Sequence, residues 1–281
     1  MDDSGSERQR PGKRLRADLV AGISIMLFFV AVAIFSFIYL PHNPLRSVGP
    51  DYSPPSSSFP FGTTNIGQDV LSQWIYGSRA TLLVGLLTAV IATTLGTVSG
   101  IVAGFIRITD EPLMRVADIV LTLPTLPLLI VIAAFVRPSI VLVSALIAFL
   151  SWPLLARVLR SNVLTLREMS FVDIALLSGV PKLKIMFNDM IRHLLPLILA
   201  YSMFAVIGAI LAEAALDFIG VGPITEYSWG AMIAYAEDNS AMFNGAWWWV
   251  LVPGISIAIF STGMALTAYA LEDTYKEGVS R

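Results

Sequence analysis

The sequence predicts an all-α membrane protein with six transmembrane helices and both termini on the cytoplasmic side. Three observations carry that expectation. Hydrophobic residues make up 56% of the 281 positions and charged residues only 14%, against roughly 25% charge in soluble domains. The apolar residues gather in blocks of span length rather than in an amphipathic pattern. Lysine and arginine fall almost wholly on alternate connections between those blocks.

A bilayer core about 30 Å thick needs roughly 20 apolar residues in helical form. Six uncharged runs approach or pass that length: Leu19–Leu40, Thr81–Ile106, Ile119–Val136, Ser139–Ala156, Leu194–Ala212 and Ala246–Leu271. The third and fourth are short and need flanking residues to complete them. The first is too long for a signal-peptide core and lacks a small-residue cleavage site, so it reads as a retained anchor. Orientation follows from the cations. Arg8, Arg10, Lys13, Arg14 and Arg16 precede the first run, and ten more occupy the connections of that side, ending with Lys276 and Arg281; only Arg46, Arg79 and Arg137 fall opposite.

The chain therefore divides into a basic cytoplasmic N-terminus (1–17), a first transmembrane helix (18–40), an external Pro/Ser-rich loop (41–79) and a core of five further transmembrane helices (80–281) with a polar region at 168–192. The external stretch 220–245 has no lysine or arginine but holds Glu226, Glu237 and Asp238, and its "SWGAMIAYAED" predicts a short external helix. Composition also excludes. With no cysteine there are no disulfides or thiolate sites. Two histidines, His42 and His193, lie too far apart in sequence to suggest a metal enzyme. A net charge of -2 and a pI near 5.7 give no reason to expect nucleic acid. The sequence has no Gly-x-x-x-x-Gly-Lys-Ser/Thr loop for ATP, no Gly-x-Ser-x-Gly elbow and no His-Glu-x-x-His pair.

Within the spans, Glu213 and Asp217 are four apart and share a helix face near the external end of the fifth. Acidic groups at membrane depth usually face a cavity or a partner, so the pair is a candidate for the pathway or a subunit interface; simple hydration at the outer interface is the alternative. Pro124 and Pro127 remove backbone donors inside the third span and should kink it, either lining a pathway or merely shaping the packing. Arg115 and Asp118 suggest a local ion pair. Arg157, Arg160 and Arg167 suit the anionic membrane surface or a soluble partner. Trp229 and Trp247–Trp249 read as interfacial anchors. Gly96, Gly100 and Gly104 predict close helix packing, within this chain or against a sister subunit.

The polar region contains "FVDIALLSGVPKLKIMF". Phe171, Ile174, Ala175 and Ser178 fall at i, i+3, i+4 and i+7, the spacing of one helix face. Gly179 suits the left-handed position after a helix end, and Pro181 bars simple continuation. Two readings remain open on these residues alone: an ordinary interfacial connector, or a helix shaped for a groove in a soluble partner.

Taken in order, several segments resemble an ABC-importer permease, and specifically the C-type membrane subunit of dipeptide and oligopeptide permeases. They are "FPFGTTNIGQDVLSQWIYGSRATLLVG", "MRVADIVLTLPTLPLLI", "SWPLLARVLRSNVLTLREMSFVDIALLSGV", "AILAEAALDFIGVG" with "SWGAM", and "WWWVLVPG". The resemblance implies an ABC type I importer-like transmembrane domain whose 168–192 region carries a cytoplasmic coupling helix. The family's Glu-Ala-Ala motif, which docks on an ATPase subunit, falls on Asp173, Ile174 and Ala175, its glycine on Gly179, with Pro181 closing the turn. Asp-Ile thus replaces Glu-Ala. The "RHLLP" ending lies about one helical turn late, and a second register puts Asp189 and Ile191 in those places.

The resemblance further implies a non-catalytic subunit of the prokaryotic inner membrane. Its partners would be a homologous permease, two ATPase subunits, an extracytoplasmic solute-binding protein and membrane lipid, with no cofactor here because ATP and Mg sit on the ATPases. Di- and oligopeptides are the expected cargo, with oligosaccharides or metal ions as related alternatives. A stand-alone secondary transporter would need coupling residues at mid-span, whereas the charges here lie near span ends. An intramembrane enzyme would need a nucleophile and base that the spans do not supply.

Overall fold

In hydrocarbon a backbone must satisfy its own hydrogen bonds, which leaves helices or closed barrels, and every long apolar run of this chain is helical. The computed structural model describes residues 11–222 and 227–279, without the side chains of 11–16, 274 and 276–279. Arg8, Arg10, Glu226 and Arg281 lie outside the described residues. The side chains of Lys13, Arg14, Arg16 and Lys276 do too.

The helices are α1 (Pro11–Phe35), α2 (Val70–Phe105), α3 (Arg107–Thr122), α4 (Thr125–Phe135), α5 (Ile140–Arg167) and α6 (Ser170–Leu177). Next, α7 (Lys182–Lys184) runs through a π-helical segment, Ile185–Met190, into α8 (Ile191–Phe218); α9 (Trp229–Asp238) and α10 (Trp247–Val279) complete the fold. Among the described residues there is no strand, only an isolated bridge between Thr63 and Asp69. Five stretches are long and apolar enough to cross a bilayer: Ala17–Phe35, Val70–Phe105, Ile140–Arg167, Lys182–Phe218 and Trp247–Asp273.

The glycine series explains the sixth crossing. Gly96 faces Trp152 and Leu155, Gly100 faces Ala156 and Leu159, and Gly104 faces Arg160 and Val163. The numbers rise together, so α2 and α5 run parallel, packed within this chain rather than against a second one. The chain leaving α2 must therefore recross before α5 begins, and α3 with α4 supplies that return. They meet at a bend of 81°. Pro124 causes it. The residue before a proline is pushed out of helical geometry, and Leu123 is extended at φ -74°, ψ 129°. Pro127 lies in the first turn of α4, where its N–H would be unpaired in any case. The run Ile119–Val136 is thus broken by one proline, not two.

Three further differences from the sequence expectation have physical causes. α2 starts at Val70, taking in the last ten residues of the 41–79 segment. Asp69 caps it, accepting the N–H of Leu71 and of Ser72, each at 3.2 Å. The polar side chains that gave this stretch a loop-like composition are buried and bonded inward: Gln73 Nε2 donates to Gln68 Oε1 at 2.7 Å and Ser78 Oγ to the Ile75 carbonyl at 2.7 Å, while Gln73 Oε1 has no partner among the described residues. Second, α5 continues to Arg167, so Arg157, Arg160 and Arg167 stand on a helix.

Third, Trp229, Trp248 and Trp249 are buried and only Trp247 is exposed; three of the four expected interfacial anchors are core. Trp229 stacks on Trp74 and meets Phe29 edge-on, with centroids 6.3 and 5.4 Å apart. Its indole N–H reaches the Trp74 carbonyl at 3.0 Å. This aromatic core occupies the end of the bundle nearest the 36–69 loop. A second core at the other end joins Ile101, Leu159 and Val163 to Val172, Ile185 and Met190.

A Cβ at Gly100 would lie 2.7 Å from the Ala156 carbonyl oxygen, while one at Gly208 would meet nothing within 4 Å. Gly100→Leu is expected to cost about 3 kcal/mol or more, at the upper end for overpacking, and Gly208→Leu to be near neutral. Thermal unfolding of the purified chain in detergent, followed by circular dichroism, measures both.

Candidate functional site

The second core fixes α6. Val172 is fully buried, Phe171 and Ala175 are half-buried behind it, and all pack on Ile185, Met186, Met190 and Leu194. The opposite face presents Asp173, Ile174 and Leu177, the last two 63% and 89% exposed. The face read from spacing is therefore split: Phe171 and Ala175 turn inward, Ile174 and Ser178 outward. One buried valine decides the rotation, because a helix of eight residues has room for a single full anchor.

The turn after α6 is closed by backbone geometry. Gly179 has φ +76°, its N–H donates to the Leu176 carbonyl at 3.1 Å, and the N–H of Val180 reaches the Ala175 carbonyl at 3.0 Å. That is the paired bonding of a Schellman end, which needs the left-handed conformation glycine adopts freely. Pro181 then opens α7 as its cap, at φ -58°, ψ 136°. His193 braces the unit from the far side. Its ring stacks on Phe171 at 5.0 Å, and its Nδ1 lies 2.8 Å from the Asp189 carbonyl. A π-helical turn between α7 and α8 brings these residues under α6; π segments mark local irregularity that often accompanies function.

Beside this unit, α3 and α5 are joined by charge. Arg160 grips Asp110 with two prongs, Nη2 to Oδ2 at 2.7 Å, and Arg157 pairs with Asp118. Arg115 pairs instead with Glu111 at 3.1 Å, so the expected Arg115–Asp118 pair does not form. A residue three positions away on the same helix lost to a cation arriving from α5. Arg157 and Arg160 face α3, and Arg167 is half-buried nearby.

Glu213 and Asp217 do share one face of α8, but α9 covers them: they are 2% and 7% exposed. Ser228 donates to Asp217 Oδ2 and accepts the Ala231 N–H at 3.0 Å, capping α9. Negative charge is favoured at such a helix start. The fit is close, since a Cβ at Gly230 would lie 2.5 Å from Ala214 Cα and 2.9 Å from Asp217 Oδ2. Glu213 Oε2 has no hydrogen-bond partner among the described residues. Asp217 fastens α8 to the start of α9. Pro124 and Pro127 are exposed at the α3–α4 break, next to a groove of about 250 Å³ lined by Leu121, Leu154 and Phe204.

Sequence reasoning missed Ser228 and Leu177. Ser228 was legible as an N-cap serine directly before the helical stretch that opens at Trp229; Leu177 carried no signal apart from its neighbours' burial. No group of metal-ligating side chains occurs among the described residues.

Removing Asp110 leaves the partly buried Arg160 unpaired, so Asp110→Ala is expected to lose about 1 kcal/mol or more. Glu111→Ala breaks a pair whose side chains are 74% and 78% exposed and is expected to change stability by less than about 0.5 kcal/mol. Denaturation midpoints at low and high salt separate the two.

Comparison with known proteins identifies the family. Residues 92–276 match the family described as the binding-protein-dependent transport system inner membrane component. A putative peptide transport system permease protein of Brucella suis biovar 1 is 35% identical over 256 residues, covering 90% of this chain and 85% of that one. The di/tripeptide transport system permease protein DppC of Pseudomonas aeruginosa is 33% identical over 266 residues, covering 90% and 86%. The dipeptide transport system permease protein DppC of Alkalihalophilus pseudofirmus is 32% identical over 263 residues, covering 90% and 84%. The chain belongs to this family: it is a multi-pass plasma-membrane permease subunit of an ABC importer, of the dipeptide/oligopeptide group, with ATP hydrolysis residing on separate subunits.

Proposed function

We propose that this subunit forms the translocation pathway of a di-/oligopeptide importer together with a homologous permease, and that α6 delivers the motion of docked ATPase subunits to it. Both termini and α6 lie on the cytoplasmic side, as the cation distribution indicates. Two ATPase subunits bind there, carrying ATP and Mg, and an extracytoplasmic solute-binding protein presents the peptide opposite. The relatives named for peptide transport support the cargo.

One observation carries the coupling. α6 is a short helix whose inner face is locked into the bundle core while its outer face is left open, with Ile174 and Leu177 exposed alongside Asp173. Exposing two large aliphatic side chains on a polar segment makes sense when a partner groove buries them. The Schellman turn at Gly179 and the stacking of His193 on Phe171 make α6 rigid relative to α8. A push on α6 then moves α8 rather than being absorbed by the turn. ATP at the partner can bias the pathway only through such a difference in contact between its two states.

Gly179→Pro removes the N–H donated to Leu176 and forbids positive φ, and Ala175→Trp displaces α6 from its seat. Both variants are expected to insert and assemble, to retain ATP hydrolysis, and to lose ATP-driven dipeptide uptake by about tenfold or more. Proteoliposomes containing all subunits measure the two activities side by side. Wild-type uptake in both variants would refute the role of α6.

A further inference from the structure

A groove of about 680 Å³ runs between α1, α2, α8 and α10, well within the roughly 300–1,000 Å³ of small-molecule sites. Its walls include Ile34, Leu83, Leu86, Val90 and Met203, and Ile34, Leu86 and Val90 are more than half exposed. It extends along α2 from Arg79 to Thr94, about 22 Å at 1.5 Å per residue. That exceeds one leaflet's half of a hydrocarbon core about 30 Å thick.

Arg79 is the one ionisable residue of the lining. It sits level with the end of α1, where its Nε and Nη2 donate to the hydroxyl and carbonyl of Ser36. Its guanidinium lies 3.9 Å from the Phe37 ring centroid. Two of its five donors are thus used, and the other three, on Nη1 and Nη2, have no partner among the described residues. No carboxylate pairs with it there. A cation at the rim of an apolar groove is costly without an anion, and a guanidinium matches phosphate oxygens two at a time.

An open apolar groove of that length accommodates an extended hydrocarbon chain, and the free guanidinium donors at its rim favour a chain that carries a phosphate. We propose that this groove holds one acyl chain of a bilayer phospholipid whose phosphate is bound by Arg79. The inference stands independently of the peptide and coupling readings. The lipid completes the polar end of α1 and fills the space between α1 and α8.

The test uses the intact transporter in vesicles of phosphatidylethanolamine and phosphatidylglycerol, doped with phosphatidylglycerol carrying a photoreactive acyl chain. Adducts are mapped by mass spectrometry. They are expected to concentrate on 26–37 of α1 and 82–94 of α2. Arg79→Gln should reduce them about tenfold, the worth of a charge-assisted hydrogen bond. Leu86→Trp, which fills the groove and leaves Arg79 intact, should abolish them, and it decides the matter alone if Arg79→Gln fails to assemble. Labelling spread evenly over all helices, or adducts unchanged by Leu86→Trp, would overturn the proposal. So would disulfide or linker capture of a second permease through Leu86→Cys.

Discussion

Gly96, Gly100 and Gly104 let the backbones of α2 and α5 approach until a Cβ would clash, and the direction of that contact governs the remaining chain. Lipid gives helices no hydrophobic reason to associate, so close packing of small residues does much of the work. Because the two helices run parallel, the chain must return between them. The Pro124 break lets it do so as two short helices at 81° instead of one straight span. The return places Asp110 and Asp118 of α3 beside Arg160 and Arg157 of α5, so the turn is held by charge at one end and by packing along the seam.

The same seam positions α6. α5 extends eleven residues past the apolar run that ends at Ala156, to Arg167, and that extension carries α6 out to the edge of the bundle. Val172 then reaches back into a core shared by α2, α5 and α8. One buried side chain and one aromatic stack thereby tie α6 to three spans. The glycine at 179 stiffens rather than loosens this joint, since its positive φ permits two backbone bonds that close the helix.

Fold class, the five long spans and the short helix ending in a Gly-x-Pro break at 170–181 were legible in the sequence, because each rests on a signal of many residues. Span-length apolar runs, cation asymmetry and a Gly-x-Pro break do not depend on what packs against them. Rotation and partnership were not legible. Spacing placed Phe171, Ile174, Ala175 and Ser178 on one face, but burial of Val172 alone set which way α6 turned. Asp118 looked paired with Arg115, but its partner arrives from α5 thirty-nine positions later. The tryptophans read as anchors because composition cannot tell an interfacial indole from one whose N–H finds a carbonyl, as Trp229 does with Trp74. Ser72, Gln73 and Ser78 disguised the start of α2 in the same way, as polar groups buried on a helix.

The central claim is that α6 is the contact through which the partner ATPases act. The cysteine-free chain allows a single Leu177→Cys to report on it. The transporter carrying that change is purified in mild detergent from native membranes, labelled at the thiol with a short reagent whose other end is photoreactive, irradiated, and every adduct is identified. The account predicts a dominant cross-link to an ATPase subunit, altered in yield between ATP-bound and nucleotide-free states. An assembled transporter that gives no such cross-link, in any nucleotide state, would contradict it.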